Sequence, residues 1–321
     1  MMNELTINAY LDGRPGHEKQ TMAVIQALQQ LTPITVSIQT SASTINSMLT
    51  MMPAALLLKL NRRRATAGLA EKLLIGSGRR THPAIVRDKH RLGNRAAAVC
   101  CMRPDISLRH AFDLCLLLAS DRVADADNIF RTTGPPCLSV DEEKHDHHRG
   151  LILIGGLDPK SHRWDTDLIC QQVATLIKQG RERIWTISSS PRTPPETVIR
   201  LAHLTATVPN RATFYRAEDT AGSWIEKQYQ QNGEVWVTAD SISMVYEALS
   251  AGCRVGVLPV QWRRPGRSLH QRSLDQLERQ NRIGRFDHWL AGTPLPTVAT
   301  VLNEAERCAR EILRRWWPER L

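Results

Sequence analysis

The apolar residues of this chain fall into short runs separated by polar turns, and the runs alternate between two periods. Leu5–Tyr10, Pro33–Ile38, Leu73–Ile75, Ala96–Met102 and Leu114–Leu118 read as strands. Thr21–Gln30 and Thr44–Leu60 carry helical spacing, and a further helix follows the Gly76–Gly78 turn. Val123–Gly134 reads as irregular, with Cys137–Val140 as the last strand of this half. The charged stretch Asp141–Gly150 reads as a linker or exposed loop. A second series follows it. Leu151–Ile154, Arg183–Ile187, Ala212–Tyr215, Val235–Val237 and Val255–Leu258 are strands. Trp164–Gln179, Glu196–Ala206, Met244–Leu249, Ser268–Asn281 and Thr297–Trp317 are helices. Two βα series predict an α/β protein with two Rossmann-like parallel-sheet domains facing a cleft. The expected domains are 1–143 and 151–296, with 297–321 crossing back onto the first.

In open parallel sheets ligands bind beyond the carboxyl ends of the strands, so the residues just after each strand matter most. Thr238, Ser241 and Ser243 gather where Val235–Val237 gives way to a helix. Free backbone N–H groups and the positive helix end there suit a phosphate. Asp240 is placed to cap that helix, and Gly252 to end it. Glu247 lies further along, where a carboxylate can accept from ribose hydroxyls. The plain alternative is an ordinary βαβ unit whose Asp and Ser only cap. Gly155-Gly156 and Ser188-Ser-Ser-Pro-Arg192 end two other strands of the same half. Three anion-suited turns in one sheet favour the phosphate reading over any one alone. In the first half, the loop from Leu11 to Gln20 holds Asp12, Arg14, His17, Glu18 and Gln20, more polar groups than a turn needs. Gly76-Ser77-Gly78 with Arg79 and Arg80 is a second anion-suited strand end.

Composition narrows the class. The 321 residues carry 42 Lys/Arg against 32 Asp/Glu, a net +10. Residues 59–109 hold the whole excess, with thirteen Lys/Arg against three acids, Glu71, Asp88 and Asp105. Such a patch attracts phosphate-rich partners, including anionic lipid. Arg62-Arg63-Arg64 after the Thr44–Leu60 helix fits a basic surface element or a simple helix end. Aromatics are only 5% and no nucleic-acid module is present, so nucleic acid is not an expected partner. The seven cysteines show no pairing pattern or CxxC, which argues against disulfides and a zinc site. Asp146 with His145, His147 and His148 is too local to close a metal site by itself. No apolar run is long enough to span a bilayer, and the first residues lack a signal-peptide pattern. The expected location is the cytoplasm, with peripheral contact at the inner membrane.

Four motifs then carry a resemblance: Asp12-Gly-Arg-Pro-Gly, Ile154-Gly-Gly, Ser190-Pro-Arg-Thr-Pro and Thr238-Ala-Asp-Ser-Ile-Ser-Met. Together, in that order, they resemble the family named for the plant elongated-mitochondria fission protein. Its bacterial members include proteins assigned to glycosyl transfer onto the lipooligosaccharide outer core. The chain departs from the first motif at His17, where the family pattern has Asn. The stretch Val235–Val260 is also similar to the donor-binding βαβ of GT-B glycosyltransferases, such as the one that adds N-acetylglucosamine to the peptidoglycan lipid intermediate. This resemblance implies a nucleotide-sugar donor in the second domain. Its diphosphate would meet Gly155, Gly156, Ser188, Ser190, Arg192, Thr238, Ser241 and Ser243, and its ribose would meet Glu247.

A saccharide or lipid-linked acceptor would enter from the first domain, near Arg14, Gln20, Ser77, Arg79 and Arg80. Asp12, Glu18 or His17 would act as the base. The resemblance is to GT-B enzymes rather than to the GT-A enzymes that hold a metal on an Asp-x-Asp triad, so no metal cofactor is expected. The implied function is a GT-B glycosyltransferase of lipopolysaccharide or lipooligosaccharide core synthesis in the cell envelope. Two alternatives stay open: a nucleotide-sugar 2-epimerase, and a non-catalytic membrane-associated scaffold of the fission-protein type.

Overall fold

A computed structural model of the chain describes residues 4–40, 70–137, 144–220, 222–266, 268–297 and 300–321. The Thr44–Leu60 helix and the arginines after it lie outside these. The chain divides into two units: Met1–Leu138 with Asn303–Leu321, and Ser139–Leu302.

Unit 1 is built on a parallel six-stranded sheet in the order β2-β1-β3-β4-β5-β6. The strands are β1 (Leu5–Leu11), β2 (Ile34–Thr40), β3 (Lys72–Gly76), β4 (Ala96–Cys100), β5 (Leu114–Leu118) and β6 (Ile129–Thr132). Side chains alternate across the sheet with period two. Leu73, Ile75, Ala97 and Val99 face one core, shared with α1 (Pro15–Leu31) and α9 (Glu304–Trp316). Leu74, Ala96, Ala98 and Cys100 face the other, shared with Ile85 and Val86 of α2 (His82–Leu92). Because both faces are covered, these strands are apolar throughout rather than alternating.

The C-terminal helix α9 is held to unit 1 at several points. Cys308, Ile312 and Trp316 enter its core, and Trp317 Nε1 donates to Ala70 O at 2.8 Å. A buried ion pair ties α2 to the sheet: Lys89 Nζ lies 2.8 Å from Asp113 Oδ2 and donates to Ala96 O at 2.7 Å.

Unit 2 repeats the plan with the order β10-β9-β7-β11-β12-β14, again all parallel. Its elements are β7 (Asp146–Leu153), α3 (Thr166–Gln179), β9 (Ile184–Ser188), α4 (Pro195–Ala206), β10 (Ala212–Tyr215), α5 (Trp224–Gln231), β11 (Asn232–Thr238), α6 (Ile242–Ser250), β12 (Arg254–Leu258), α7 (Leu269–Arg279), β14 (Ile283–Arg285) and α8 (Phe286–Leu290). A two-residue pair, β8 (His162–Arg163) and β13 (Gln261–Trp262), lies outside the main sheet. Two glycines make room for indoles: a Cβ on Gly150 would sit 2.4 Å from the Trp185 ring, and one on Gly256 2.4 Å from Trp236.

Several sequence expectations shift. The helix expected from Thr21 starts at Pro15, so His17, Glu18 and Gln20 lie in its first turns rather than in a loop. Proline at the first helical position has no N–H to lose and a preset φ. The charged stretch read as a linker is in part the start of β7: Asp146–Arg149 are exposed, yet they pair beyond the core end of the sheet. β6 occupies the stretch read as irregular, and Cys137 lies outside any strand. β6 pairs along β5 by main-chain bonds, and its four residues, Ile129–Thr132, are too few for a sequence pattern to announce it.

Candidate functional site

The strand orders locate two candidate sites. In unit 2 the chain moves outward from β7 through β9 to β10, then returns to β11 on the other side of β7. The reversal between β7 and β11 is a topological switch point, where crossover helices leave in opposite directions and open a crevice. Gly155 and Gly156 follow β7 there, Thr238 ends β11, and Ala239–Ser241 follow it.

These turns are bonded to one another. Gly155 N–H donates to Thr238 Oγ1 at 2.8 Å, and Gly156 N–H to Asp240 Oδ2 at 2.9 Å. Ser190 Oγ, beyond β9, donates to Gly155 O at 2.8 Å, and Thr193 Oγ1 bonds the same carbonyl. Thr193 Oγ1 also accepts the Ser190 N–H at 2.8 Å. The two glycines are therefore not free phosphate donors, since both N–H groups are used inside the fold. They are required for approach instead. A Cβ on Gly155 would lie 2.2 Å from Asp240 Oδ2 and Ser241 Oγ, and one on Gly156 2.1 Å from Arg192 main chain.

Arg192 reaches across this junction. Its Nη2 lies 3.1 Å from Asp240 Oδ2 and 3.3 Å from Ser241 Oγ. The Asp240 side chain is 2% exposed, whereas that of Arg192 is 48% exposed. One end of the guanidinium is thus anchored while the rest faces water. Asp240 does not cap α6 as the sequence suggested. Its carboxylate is committed to Gly156 and Arg192 instead; Ser241 is the N-cap and makes no side-chain cap bond, its hydroxyl bonding Asp240 and Arg192. Asp240 Oδ1 is buried without a hydrogen-bond partner.

The first turn of α6 keeps N–H groups, at Ile242 and Ser243, that no intrahelical bond can satisfy. With the helix dipole they form an anion-suited terminus beside Arg192. Ser241 is buried and Ser243 exposed. Ser188 turns inward and donates to Ser189 O. Glu247 is half-buried on α6, with the Tyr229 hydroxyl 3.5 Å from its Oε2. His270, in the first turn of α7, was not singled out by sequence. Burial lowers its pKa, and Asp240, Arg192, Asp158 and His162 are the charged groups that act on it.

Unit 1 has its own switch point, between β1 and β3. Asp12 follows β1, and its Oδ2 lies 2.8 Å from His17 Nδ1 in the first turns of α1. Asp12 Oδ1 accepts from Arg14 N–H at 3.1 Å, and Glu18 Oε1 accepts from Gly13 N–H at 2.9 Å. The Asp12 side chain is 1% exposed and His17 21%, so the carboxylate is the buried partner and the imidazole the accessible one. Gly78 closes over the pair. Its φ is +91°, and a Cβ there would lie 2.3 Å from Asp12 Oδ2 and 2.4 Å from His17 Nδ1. Ser77 is buried and donates to Gln20 Oε1 at 3.4 Å. Arg79 and Arg80 are exposed, and Arg79 Nε lies 3.2 Å from Asp105.

Behind them, His82 Nε2 is 3.4 Å from Cys100 Sγ. Burial lowers the His82 pKa from 6.5 to about 4, so this imidazole is neutral at pH 7. Among the described residues no group of three or more His, Cys, Asp or Glu side chains is placed to hold a metal ion. Among them, too, no helix is long and apolar enough to cross a membrane.

Of the sequence-predicted residues, the structure brings Gly155, Gly156, Ser190, Arg192, Thr238 and Ser241 together in one bonded cluster. Asp12, His17, Gln20, Ser77 and Glu18 gather at the other switch point. Thr193, Asp240 in its bridging role and His270 were missed. Only the Pro-Arg-Thr spacing hinted at Thr193.

Comparison with known structures fits this architecture. A protein assigned as a UDP-N-acetylglucosamine 2-epimerase from Listeria monocytogenes superimposes with a TM-score of 0.54 at 10% identity, covering 97% of this chain and 88% of that one. MurG of Acinetobacter baumannii aligns with a TM-score of 0.47 at 15% identity, over 97% and 91% of the two chains. The Methanocaldococcus jannaschii UDP-GlcNAc 2-epimerase, in complex with UDP-GlcNAc and UDP, aligns with a TM-score of 0.49 at 10% identity, over 97% and 100%. No curated protein sequence matches the chain. The fold is of the GT-B type, shared with that Listeria protein. The family described as mitochondrial fission ELM1 matches residues 15–316, and the chain belongs to that family.

Proposed function

We propose that this protein is a glycosyltransferase that moves a sugar from a nucleotide-sugar donor to a hydroxyl of a saccharide or lipid-linked acceptor. The observation that carries the reading is the bonded junction of three strand ends at the unit 2 switch point. It holds a half-exposed Arg192 beside the open N-terminus of α6. In this reading Arg192 and the Ile242 and Ser243 N–H groups receive the diphosphate, and Glu247 accepts from the ribose hydroxyls.

The family resemblance assigns the base to Asp12, Glu18 or His17, and of these His17, oriented through Nδ1 by Asp12, is the accessible group whose Nε2 can take the acceptor's hydroxyl proton. The acceptor oxygen then bonds to the anomeric carbon as the bond from that carbon to the diphosphate oxygen breaks. The negative charge leaves on the nucleoside diphosphate, where the guanidinium and the helix end stabilise it. No metal takes part in this scheme. The family resemblance points to lipopolysaccharide or lipooligosaccharide core as the acceptor, which would place the protein at the inner face of the cytoplasmic membrane.

A screen of nucleoside diphosphates and nucleotide sugars by thermal shift tests the donor seat. Stabilisation by at least one is expected, and none at millimolar concentration would overturn the reading. The likeness of fold to 2-epimerases supports a second reading, inversion at the donor sugar. Conversion of a nucleotide sugar with no acceptor present would favour it over transfer.

A further inference from the structure

The most exposed large apolar side chain among the described residues is Ile106, at 78%. It is not on a frayed end. It sits at the tip of a turn between β4 and β5, closed by the Leu108 N–H donating to Asp105 O at 2.9 Å. Leu108 is 2% exposed and anchors the turn in the core, and Pro104 is buried beside it. The fold therefore holds Ile106 out in water on a fixed base, at a standing cost in apolar exposure.

The surroundings hold three exposed arginines against two acids, Asp105 and Asp121. Asp105, the residue before Ile106, lies 3.2 Å from Arg79 Nε, which brings the loop after β3 alongside the turn. The Arg79 side chain is 79% exposed, and Arg80 beside it is exposed as well. Arg103 is 60% exposed and lies 3.9 Å from Asp121, so the loop after β5 borders the same patch. An exposed apolar tip with the exposed guanidiniums of Arg79, Arg80 and Arg103 in its own and the neighbouring loop matches a bilayer interface with anionic headgroups. The isoleucine enters the acyl boundary while the guanidiniums remain at headgroup level. A phosphorylated saccharide would engage the arginines but leave the isoleucine in water.

We infer that the Asp105–Leu108 turn, with Arg79, Arg80 and Arg103, docks unit 1 onto an anionic lipid surface through Ile106. Met102, in the same loop, accepts the Gly78 N–H through Sδ at 2.9 Å. The patch therefore adjoins the Asp12–His17 pair, where an acceptor drawn from the membrane would arrive. That last step rests on the proposed transfer to a lipid-linked acceptor. Vesicle binding is measured without donor or acceptor, so either proposal can fail alone.

The test is co-sedimentation of the full chain with vesicles of phosphatidylcholine alone and of equimolar phosphatidylcholine and phosphatidylglycerol. Wild type should partition onto the anionic vesicles and not onto the neutral ones. Ile106→Asp should lower the bound fraction sharply. Ile106→Trp should raise it, because indole favours the interface. Arg79→Ala and Arg103→Ala should each weaken binding about fivefold at low salt. These side chains are exposed, so circular dichroism of the variants should match wild type. Absence of binding to anionic vesicles, or equal binding by wild type and Ile106→Asp, would overturn the inference. Displacement of wild type from vesicles by millimolar glucose 1-phosphate, with Ile106→Asp unaffected in partition, would assign the patch to a soluble phosphosugar instead.

Discussion

Arg192 Nη2 and Asp240 Oδ2 lie 3.1 Å apart, joining residues 48 positions apart in sequence. The same carboxylate oxygen accepts the Gly156 N–H, so one acid fixes both the glycine turn and the cation beside it. Asp240→Ala would leave a buried N–H unpaired and Arg192 untethered. We expect a loss of about 2 kcal/mol of stability, together with weaker nucleoside diphosphate binding. Arg192→Ala should weaken that binding with little loss of stability, because the arginine is half exposed. Denaturant titration and calorimetry on the two variants separate these outcomes.

Gly155→Ala and Gly156→Ala probe the junction sterically. Each Cβ would lie closer than 2.5 Å to a neighbour, and for Gly156 that neighbour is the Arg192 main chain. Backbone cannot swing aside as a side chain can. Each variant should lose about 2 kcal/mol, Gly156→Ala the more, in urea unfolding monitored by tryptophan fluorescence. Unchanged midpoints would mean that the turns are not packed as described.

The two-sheet α/β plan was legible in sequence because buried parallel strands are apolar on both faces, as Leu73–Ile75 and Val235–Val237 are. The second sheet's strand-end clusters were legible too, since Gly-Gly and Ser-Pro-Arg-Thr stand out where a strand stops. What sequence did not show were relations set by tertiary contact. Asp240 has the local form of an N-cap, yet its partners come from residues 156 and 192. Thr193 looks like one more turn residue until its hydroxyl is seen to gather Ser190 and Gly155. The start of β7 was hidden because Asp146–Arg149 pair outside the core, where charge costs nothing.

His17 is the accessible member of its pair with Asp12. His17→Ala should reduce turnover about a hundredfold or more while leaving nucleoside diphosphate affinity unchanged. Asp12→Asn should show a smaller defect, since it weakens the bond that orients the imidazole. Equal loss of binding and turnover in His17→Ala would assign His17 to the donor seat instead. Addition of a chelator should leave the transfer rate unaltered if the charge of the leaving group is met by Arg192 and α6.

Acid should act on unit 1 through His82. Its folded pKa is depressed to about 4 from 6.5, so the unfolded imidazole binds protons more tightly. The stabilising contribution is complete above about pH 6.5 and is lost as pH falls toward about 4, roughly 3 kcal/mol in total. His82→Gln should flatten the stability profile across that window in urea titrations at stepped pH. An unaltered acid limb would place the sensitivity elsewhere, His270 being the other histidine with a lowered pKa and Asp158 and Glu311 the carboxyls held low.

The most direct measurement is calorimetric titration of the full chain with uridine, guanosine, cytidine and adenosine diphosphates, repeated on Arg192→Ala and Glu247→Ala. At least one nucleotide should bind wild type, Arg192→Ala should weaken it about tenfold or more, and Glu247→Ala should abolish the preference for ribose over 2′-deoxyribose. Binding by none of the four, or binding indifferent to both substitutions, would contradict a nucleotide-sugar site at the β7–β11 switch point.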